Sequence, residues 1–265
     1  MIYLFFVAAP ARSGTKWYSD LFTTDRSYCF HELGNLIHPE PTNQVLDEWL
    51  RAQAADHDFE HLQRRSMLQL YPDYFLRHWE QSRISGQFMI GNSDCHMPLY
   101  LPGIWLLWPT TRFLFSFRNG INVVESQKLA NFTAIERNLY PDLGQFEGLC
   151  QAWARSIGTF TQIKTWLTDH KANVLETRLE QMTSDPAELE RIWEQIVGNW
   201  PSYRERCISL QSTPLNTRTN RERVVSWQEI WDQWSVAERA AFSTICGTVQ
   251  QQLGYELPDV ENVGP

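Results

Sequence analysis

A run of small and basic residues follows the first apolar segment of the chain. Ile2–Ala8 has the composition of a buried strand, and the loop Arg12-Ser13-Gly14-Thr15-Lys16 leads from it into an amphipathic helix. Small residues in such a loop let successive backbone N–H groups approach an anion, and the start of the helix adds a partial positive charge. The sequence therefore predicts an anion site of the phosphate-binding kind.

This loop does not have the Walker A pattern of nucleoside triphosphatases. G-x-x-x-x-G-K-[ST] requires Gly at position 9 and Lys-Ser/Thr after Gly14, whereas the chain has Ala9 and Thr15-Lys16. The loop instead resembles the 5′-phosphosulfate loop P-[KR]-S-G-T-T-W of the PAPS-dependent sulfotransferases, and reads A-R-S-G-T-K-W here. The resemblance implies 3′-phosphoadenosine 5′-phosphosulfate (PAPS) as the sulfuryl donor.

The resemblance also assigns roles to the loop residues. Ser13–Thr15 supply donors to the 5′-phosphate, and Arg12 stabilises negative charge on the leaving phosphate oxygen. Lys16 replaces the second Thr of the motif, and either shares this electrophilic role or is a solvated residue of the first helical turn. Trp17 matches the aromatic residue that stacks on adenine, and a core tryptophan is the alternative.

A second phosphate motif follows another predicted strand, Thr111–Phe117. Arg118 and Ser126 have the spacing of the family's 3′-phosphate motif R-x-x-x-D-x-x-x-S, in which Asn122 replaces the Asp. The resemblance implies that both residues bind the 3′-phosphate, Arg118 as a bidentate donor. The two motifs together are a more specific signal of the family than either alone, because the resemblance implies that they bind two phosphates of one nucleotide.

Two residues are candidates for the base that removes the acceptor proton. Asp94-Cys95-His96-Met97-Pro98 resembles the family's K-x-H-L-P segment, which implies that His96 is the base and places Asp94 where the family has Lys. An unperturbed imidazole titrates near neutral pH, as this role requires. Glu32 is the alternative, because a Glu acts as the base in several carbohydrate sulfotransferases.

A basic segment near the end of the chain resembles the loop that closes over the 3′-phosphate, where the family commonly has R-K-G. Arg218, Arg221 and Arg223 precede Trp227, but the R-K-G string itself is absent. Arg221 and Arg223 are therefore candidate nucleotide-binding residues. A solvated run of charge is the alternative for two of the three arginines.

Composition narrows the class of protein. The 265 residues, 43% of them hydrophobic, suffice for the core of one α/β domain. A net charge of −8, without a Lys/Arg cluster of the kind that forms a basic face, argues against a nucleic-acid-binding protein. Five widely spaced cysteines without a C-x-x-C pair indicate reduced thiols and imply no metal site. No signal peptide or long apolar run is evident, so we expect a cytoplasmic protein without a membrane segment.

Predicted strands alternate with helices along the chain. Strands are expected at Ile2–Ala8, Ser27–His31, Phe88–Gly91, Thr111–Phe117 and Val174–Thr177. A helix-rich insert is expected at about 33–87, and a last helix at Ser235–Leu253 has an apolar stripe of Ala237, Ala241, Ile245, Val249 and Leu253. This alternation implies a three-layer α/β/α arrangement with a central parallel sheet and ligands at the carboxyl ends of its strands. The resemblance specifies the P-loop-NTPase-like sulfotransferase fold, as a single domain over residues 1–265.

The function predicted by the resemblance is in-line transfer of a sulfuryl group from PAPS to a hydroxyl or amine acceptor. A cytoplasmic location favours a small metabolite or a glycan precursor as the acceptor. One alternative is a P-loop small-molecule kinase, which would need a Lys-Ser/Thr pair and a downstream Asp for Mg²⁺. The other is a catalytically idle nucleotide-binding protein. It is suggested only by departures from the family's motifs at Asp94, Asn122 and Leu179, the last of which stands where the family's Y-E-D-L segment has Tyr.

Overall fold

The computed structural model describes residues 3–31, 89–95, 101–130, 144–211 and 225–258. The strands in these ranges are β1 (Tyr3–Ala8), β2 (Ser27–His31), β3 (Met89–Asp94), β4 (Arg112–Phe117) and β5 (Asn173–Arg178). The helices are α1 (Thr15–Phe22), α2 (Leu101–Leu107), α3 (Gly120–Lys128), α4 (Phe146–Asp169), α5 (Leu179–Ser184), α6 (Pro186–Ile196), α7 (Trp200–Gln211), α8 (Trp227–Gln233) and α9 (Val236–Gln252).

The described strands form one parallel sheet in the order β2-β3-β1-β4-β5. The chain starts in the middle of the sheet, builds one side with β2 and β3, and then builds the other with β4 and β5. The connections therefore leave β1 and β4 in opposite directions, and a crevice opens at the carboxyl ends of such neighbouring strands. The predicted parallel sheet is confirmed, and this topology predicts a ligand-binding edge beyond β1 and β4.

Helices cover both faces of the sheet because side chains alternate between the faces along each strand. Phe6 and Phe113 belong to a core that includes Val124 of α3, Trp153 of α4 and Phe242 of α9. The opposite face carries a second core, built on the strand residues Phe5, Val7 and Leu114 with side chains from α1, α5, α6 and α7. Apolar residues on both faces of the strands thus produce the predicted three-layer α/β/α arrangement.

The predicted boundary of β3 is wrong, because this strand continues to Asp94 rather than ending at Gly91. Asn92 and Asp94 are buried and pair in register with Phe6 and Ala8 of β1. Asn92 Nδ2 also donates a hydrogen bond to Asp94 Oδ2 at 3.4 Å. Pairing of β3 with β1 extends to Asp94 and its pairing with β2 to Ser93, so these polar residues stay in the strand, although their composition predicts a loop.

Helix α9 is confirmed, but its buried face differs from the predicted stripe. Ser235 caps the helix through a capping box with Glu238. The buried face contains Phe242 and Cys246 together with polar residues, whereas Ala237 is exposed. Gln250 also lies on the buried face, with its amide group hydrogen-bonded. The apolar stripe therefore does not coincide with the buried face of the helix.

Two predictions about chain organisation stay predictions. The helix-rich insert at 33–87 lies outside the described residues, and the assignment of residues 1–265 to a single domain stays a prediction. In the part of the chain that the structure describes, no helix is both long and apolar enough to cross a membrane.

Candidate active site

The candidate site lies at the carboxyl edge of the sheet, where the loops after the strands meet. Ala8 at the end of β1 pairs with Asp94 at the end of β3, and on its other side with Phe115 near the end of β4. Residues that follow β1 and β4 are therefore neighbours in space although they are far apart in the sequence. Both predicted phosphate motifs occupy these positions.

The loop after β1 turns sharply through two left-handed residues. Arg12 has a φ of 68° and Gly14 a φ of 88°. Ser13 N donates a hydrogen bond to Pro10 O at 3.0 Å, which closes the turn between them. A Cβ atom at Gly14 would lie 2.8 Å from Leu179 Cδ1. Glycine is therefore favoured at position 14 both by its backbone conformation and by the close approach of α5.

The start of α1 has the features of an anion site. Gly14 is its N-cap and provides no side-chain cap for the first turn. The helix dipole adds partial positive charge at this end. Ser13 is fully buried beside it, and its hydroxyl has no hydrogen-bond partner in the described part of the chain. A buried hydroxyl and a helix N-terminus together fit a bound phosphate or sulfate group.

The next two residues of the predicted loop have different environments. Thr15 is buried, and its Oγ1 is hydrogen-bonded to His31 Nε2 at 3.1 Å. His31 ends β2, so this contact connects the loop after β1 to the end of a strand that lies two positions away in the sheet. Lys16 is exposed and forms an ion pair with Asp20 one turn along α1. That position agrees with the solvated alternative for Lys16, and its role in charge stabilisation stays a prediction.

Trp17 is buried on the opposite side of α1 from solvent. It is 5% exposed, belongs to the same core as Phe22 and Trp193, and its indole Nε1 donates to Leu210 O at 3.1 Å. The core alternative for this residue therefore describes its observed environment. Its contact with adenine stays a prediction.

Residues of the two predicted phosphate motifs are hydrogen-bonded to each other. Arg118 Nη1 donates to Arg12 O at 2.7 Å, and Arg12 Nε donates to Ser126 Oγ at 2.9 Å. The first contact holds the backbone of Arg12, whose left-handed conformation has an energetic cost. Arg12, Arg118 and Ser126, taken from β1–α1 and β4–α3, thus form one cluster.

The electrostatics of this cluster favour a bound anion. Arg118 is half-buried, and burial lowers the pKa of its guanidinium. The nearby Glu180 carboxylate opposes this shift, whereas the positive charge of Arg12 adds to it. An arginine remains charged despite such a shift, because its ordinary pKa is above 12. The cluster therefore places two guanidinium groups side by side, one of them partly desolvated, and this concentration of positive charge favours an anion.

The turn between β4 and α3 depends on residues that the sequence did not identify as site residues. Asn119 caps α3 by accepting a hydrogen bond from Ile121 N at 2.9 Å, and its own N–H donates to Glu180 Oε1 at 3.0 Å. Gln250 of α9 accepts from Gly120 N at 2.9 Å. The segment Leu179-Glu180-Gln181-Met182 resembles the family's Y-E-D-L, and this resemblance is a sequence signal for Glu180. No local signal identified Gln250.

Several predicted site residues lie outside the described ranges. These are His96, Glu32, Arg221 and Arg223, and their roles stay predictions. Asn122 is described: its side-chain oxygen is buried and has no hydrogen-bond partner in the described part of the chain. In the same part of the chain, no group of three or more His, Cys, Asp or Glu side chains could hold a metal ion.

Comparison with solved structures agrees with the described sheet. Comparison with curated proteins finds no significant match. The sulfotransferase domain from the curacin biosynthetic pathway has a similar fold, with a TM-score of 0.57 at 14% identity, over 97% of this chain and 99% of that one. The sulfotransferase domain from the Synechococcus PCC 7002 olefin synthase has a TM-score of 0.56 at 16% identity, over 97% of this chain and 96% of that one.

The sequence profile described as "Sulfotransferase family" matches residues 5–201. This range extends from β1 into α7 and contains both phosphate motifs together with Glu180. The structural likeness gives the fold, and the profile covers well over half of the chain. The chain therefore belongs to the sulfotransferase family.

Proposed function

We propose that this sulfotransferase transfers a sulfuryl group from PAPS to a hydroxyl or amine of a small-molecule or glycan acceptor. The observation that carries the proposal is the cluster of Arg12, Arg118 and Ser126. PAPS bears phosphate groups at two positions of one nucleotide, so a protein that uses it needs two anion sites at a fixed separation. The loop after β1 and the turn after β4 supply two such sites on neighbouring strands.

In this proposal the β1–α1 loop binds the 5′-phosphosulfate end. The fully buried Ser13 hydroxyl and the uncapped start of α1 offer donors to the phosphate, and Thr15 is oriented by His31. Arg12 stabilises the charge that develops on the leaving phosphate oxygen. At the other end of the nucleotide, Arg118 and Ser126 bind the 3′-phosphate.

The reaction is an in-line displacement at sulfur. The acceptor oxygen or nitrogen forms a new bond to sulfur as the bond between sulfur and the phosphate oxygen breaks, which releases adenosine 3′,5′-bisphosphate (PAP). The acceptor proton passes to the base, for which His96 and Glu32 are the two candidates. Positioning and charge stabilisation account for most of the catalysis in related phosphoryl transfers, and such work suits the donors assembled at this sheet edge.

Transfer of labelled sulfuryl groups from PAPS to a panel of phenols, alcohols, sugars and amines tests this function. ATP hydrolysis with and without Mg²⁺, measured on the same preparation, tests the kinase alternative. We expect PAPS-dependent labelling of at least one acceptor class, and its loss in Arg12→Ala. Mg²⁺-dependent ATP turnover without sulfuryl transfer would favour a kinase, and PAP binding without any turnover would favour an idle nucleotide-binding protein.

A further inference from the structure

Glu180 of α5 connects the C-terminal segment to the turn that carries Arg118. One carboxylate oxygen, Oε1, accepts the Asn119 N–H at 3.0 Å, and the other, Oε2, accepts the Tyr255 hydroxyl at 2.8 Å. Asn119 is the residue directly after Arg118 in the chain. Glu180 therefore contacts the backbone from which the Arg118 side chain extends.

A second bridge runs from the same end of α9. Gln250 is fully buried; its Oε1 accepts from Gly120 N at 2.9 Å, and its Nε2 donates to Asn119 Oδ1 at 3.1 Å. Successive N–H groups at the start of α3 are thus held by one residue from α5 and one from α9. Since Ser126 lies on α3, these bridges set the orientation of both predicted 3′-phosphate ligands.

The Leu253-Gly254-Tyr255 sequence explains how Tyr255 reaches Glu180. Gly254 has a φ of 72°, its N–H donates to Gln251 O at 2.8 Å, and Tyr255 N donates to Gln250 O at 3.1 Å. These two bonds form a Schellman motif, which ends α9 and reverses the chain. The reversal brings Tyr255 back over the end of β5.

Arg178 at the end of β5 packs against the reversed segment at Gly254 and Tyr255. Its guanidinium carbon lies 4.9 Å from the centre of the Tyr255 ring, a cation–π contact. A Cβ atom at position 254 would lie 2.3 Å from Arg178 Nη2, so glycine is needed both for the turn and for this approach. The Tyr255 ring is therefore held in place independently of its hydroxyl.

From these contacts we propose that Glu180 and Tyr255 are positioning residues that hold the Arg118–Asn119 backbone for binding of the 3′-phosphate. This inference rests on the proposed function, because it assigns their purpose to the 3′-phosphate site. Burial and the neighbouring Glu180 carboxylate raise the pKa of the Tyr255 phenol. The phenol therefore keeps its proton at neutral pH and remains the donor of this hydrogen bond.

Tyr255→Phe tests the proposal cleanly, because it removes one hydroxyl and leaves both the ring and the charge of the site unchanged. Glu180→Ala removes the acceptor of both hydrogen bonds. Tyr203→Phe is the matched control, because the Tyr203 hydroxyl donates to Asp25 at 2.5 Å, between α7 and the loop after α1.

Calorimetry on the full chain would measure the affinity of each protein for PAP and for adenosine 5′-monophosphate (AMP), which lacks the 3′-phosphate. Thermal unfolding of each variant would be recorded in parallel.

We expect the preference for PAP over AMP to fall about tenfold in Tyr255→Phe and further in Glu180→Ala, because each loses hydrogen bonds of a charged group. Tyr203→Phe should keep the preference of the wild type. Equal weakening of both nucleotides, or an unchanged preference in both variants, would overturn the positioning role. Arg118→Ala separates this failure from failure of the proposed function. If neither the wild type nor Arg118→Ala distinguishes PAP from AMP, the 3′-phosphate site itself is wrong.

Discussion

Arg12 Nε donates a hydrogen bond to Ser126 Oγ at 2.9 Å across a sequence separation of 114 residues. Arg12 belongs to the loop after β1, and Ser126 to the helix after β4. These strands are neighbours in the sheet, so the contact joins the two motifs that the sequence predicts for opposite ends of one nucleotide. The spatial agreement of two independently identified motifs is the main support for a two-phosphate ligand.

Replacing Ser126 by Ala should weaken PAP binding. The hydroxyl is a proposed donor to the 3′-phosphate, and a hydrogen bond to a charged group contributes roughly 1.5–3 kcal/mol, so a loss of about tenfold or more is expected. AMP should lose less affinity in the same titration. Ser243→Ala is the control, because the Ser243 hydroxyl has no hydrogen-bond partner in the described chain. An unchanged ratio of PAP to AMP affinity in Ser126→Ala would contradict its assignment.

Two glycine substitutions should change stability in opposite directions. Gly14→Ala places a Cβ at a φ of 88°, and we expect it to lower the free energy of unfolding by about 1–2 kcal/mol and to weaken PAP binding. Gly158→Ala lies within α4, where a Cβ meets nothing within 4 Å, so it should stabilise the protein by about 0.5–1 kcal/mol. Chemical denaturation measures both. A Gly14→Ala variant as stable as the wild type would show that the loop has another conformation.

His96→Ala and Glu32→Gln decide which residue is the base. If His96 takes the acceptor proton, His96→Ala should bind PAP normally and lose about 10²–10⁴-fold in turnover, and Glu32→Gln should be milder. Rates measured across pH with one acceptor provide the check, because the ionisation of the base disappears from the profile only in the variant that lacks it. The opposite ranking would assign the base to Glu32.

The strands and the two phosphate motifs were predictable because their signals are local. The apolar run before Arg12 and the run before Arg118 each predict a strand followed by a turn and a helix, and the structure confirms both. The meeting of the two motifs was also predictable in outline. Carboxyl ends of parallel strands share one edge of the sheet, so residues that follow them converge.

The supporting contacts were not predictable in this way. Glu180 and Tyr255 are separated by 75 residues, and Gly120 and Gln250 by 130, so no sequence window contains either pair. Gln250 is polar and yet buried. An analysis of apolar periodicity therefore does not predict that it lies in the core. Asp94 shows the same limit, since its residue type predicts a loop whereas its pairing with β1 places it in the buried sheet.

The central claim is that Arg118 belongs to a site for a 3′-phosphate on an adenine nucleotide. Calorimetric titration of the wild type and Arg118→Ala with PAP and with AMP tests it most directly, with Arg155→Ala on α4 as the control for loss of one positive charge. We predict that the wild type prefers PAP and that Arg118→Ala loses most of this preference, with a much smaller loss of affinity for AMP than for PAP, because a planar donor to a dianion is removed. Equal losses for both nucleotides, or no loss for either, would contradict the account.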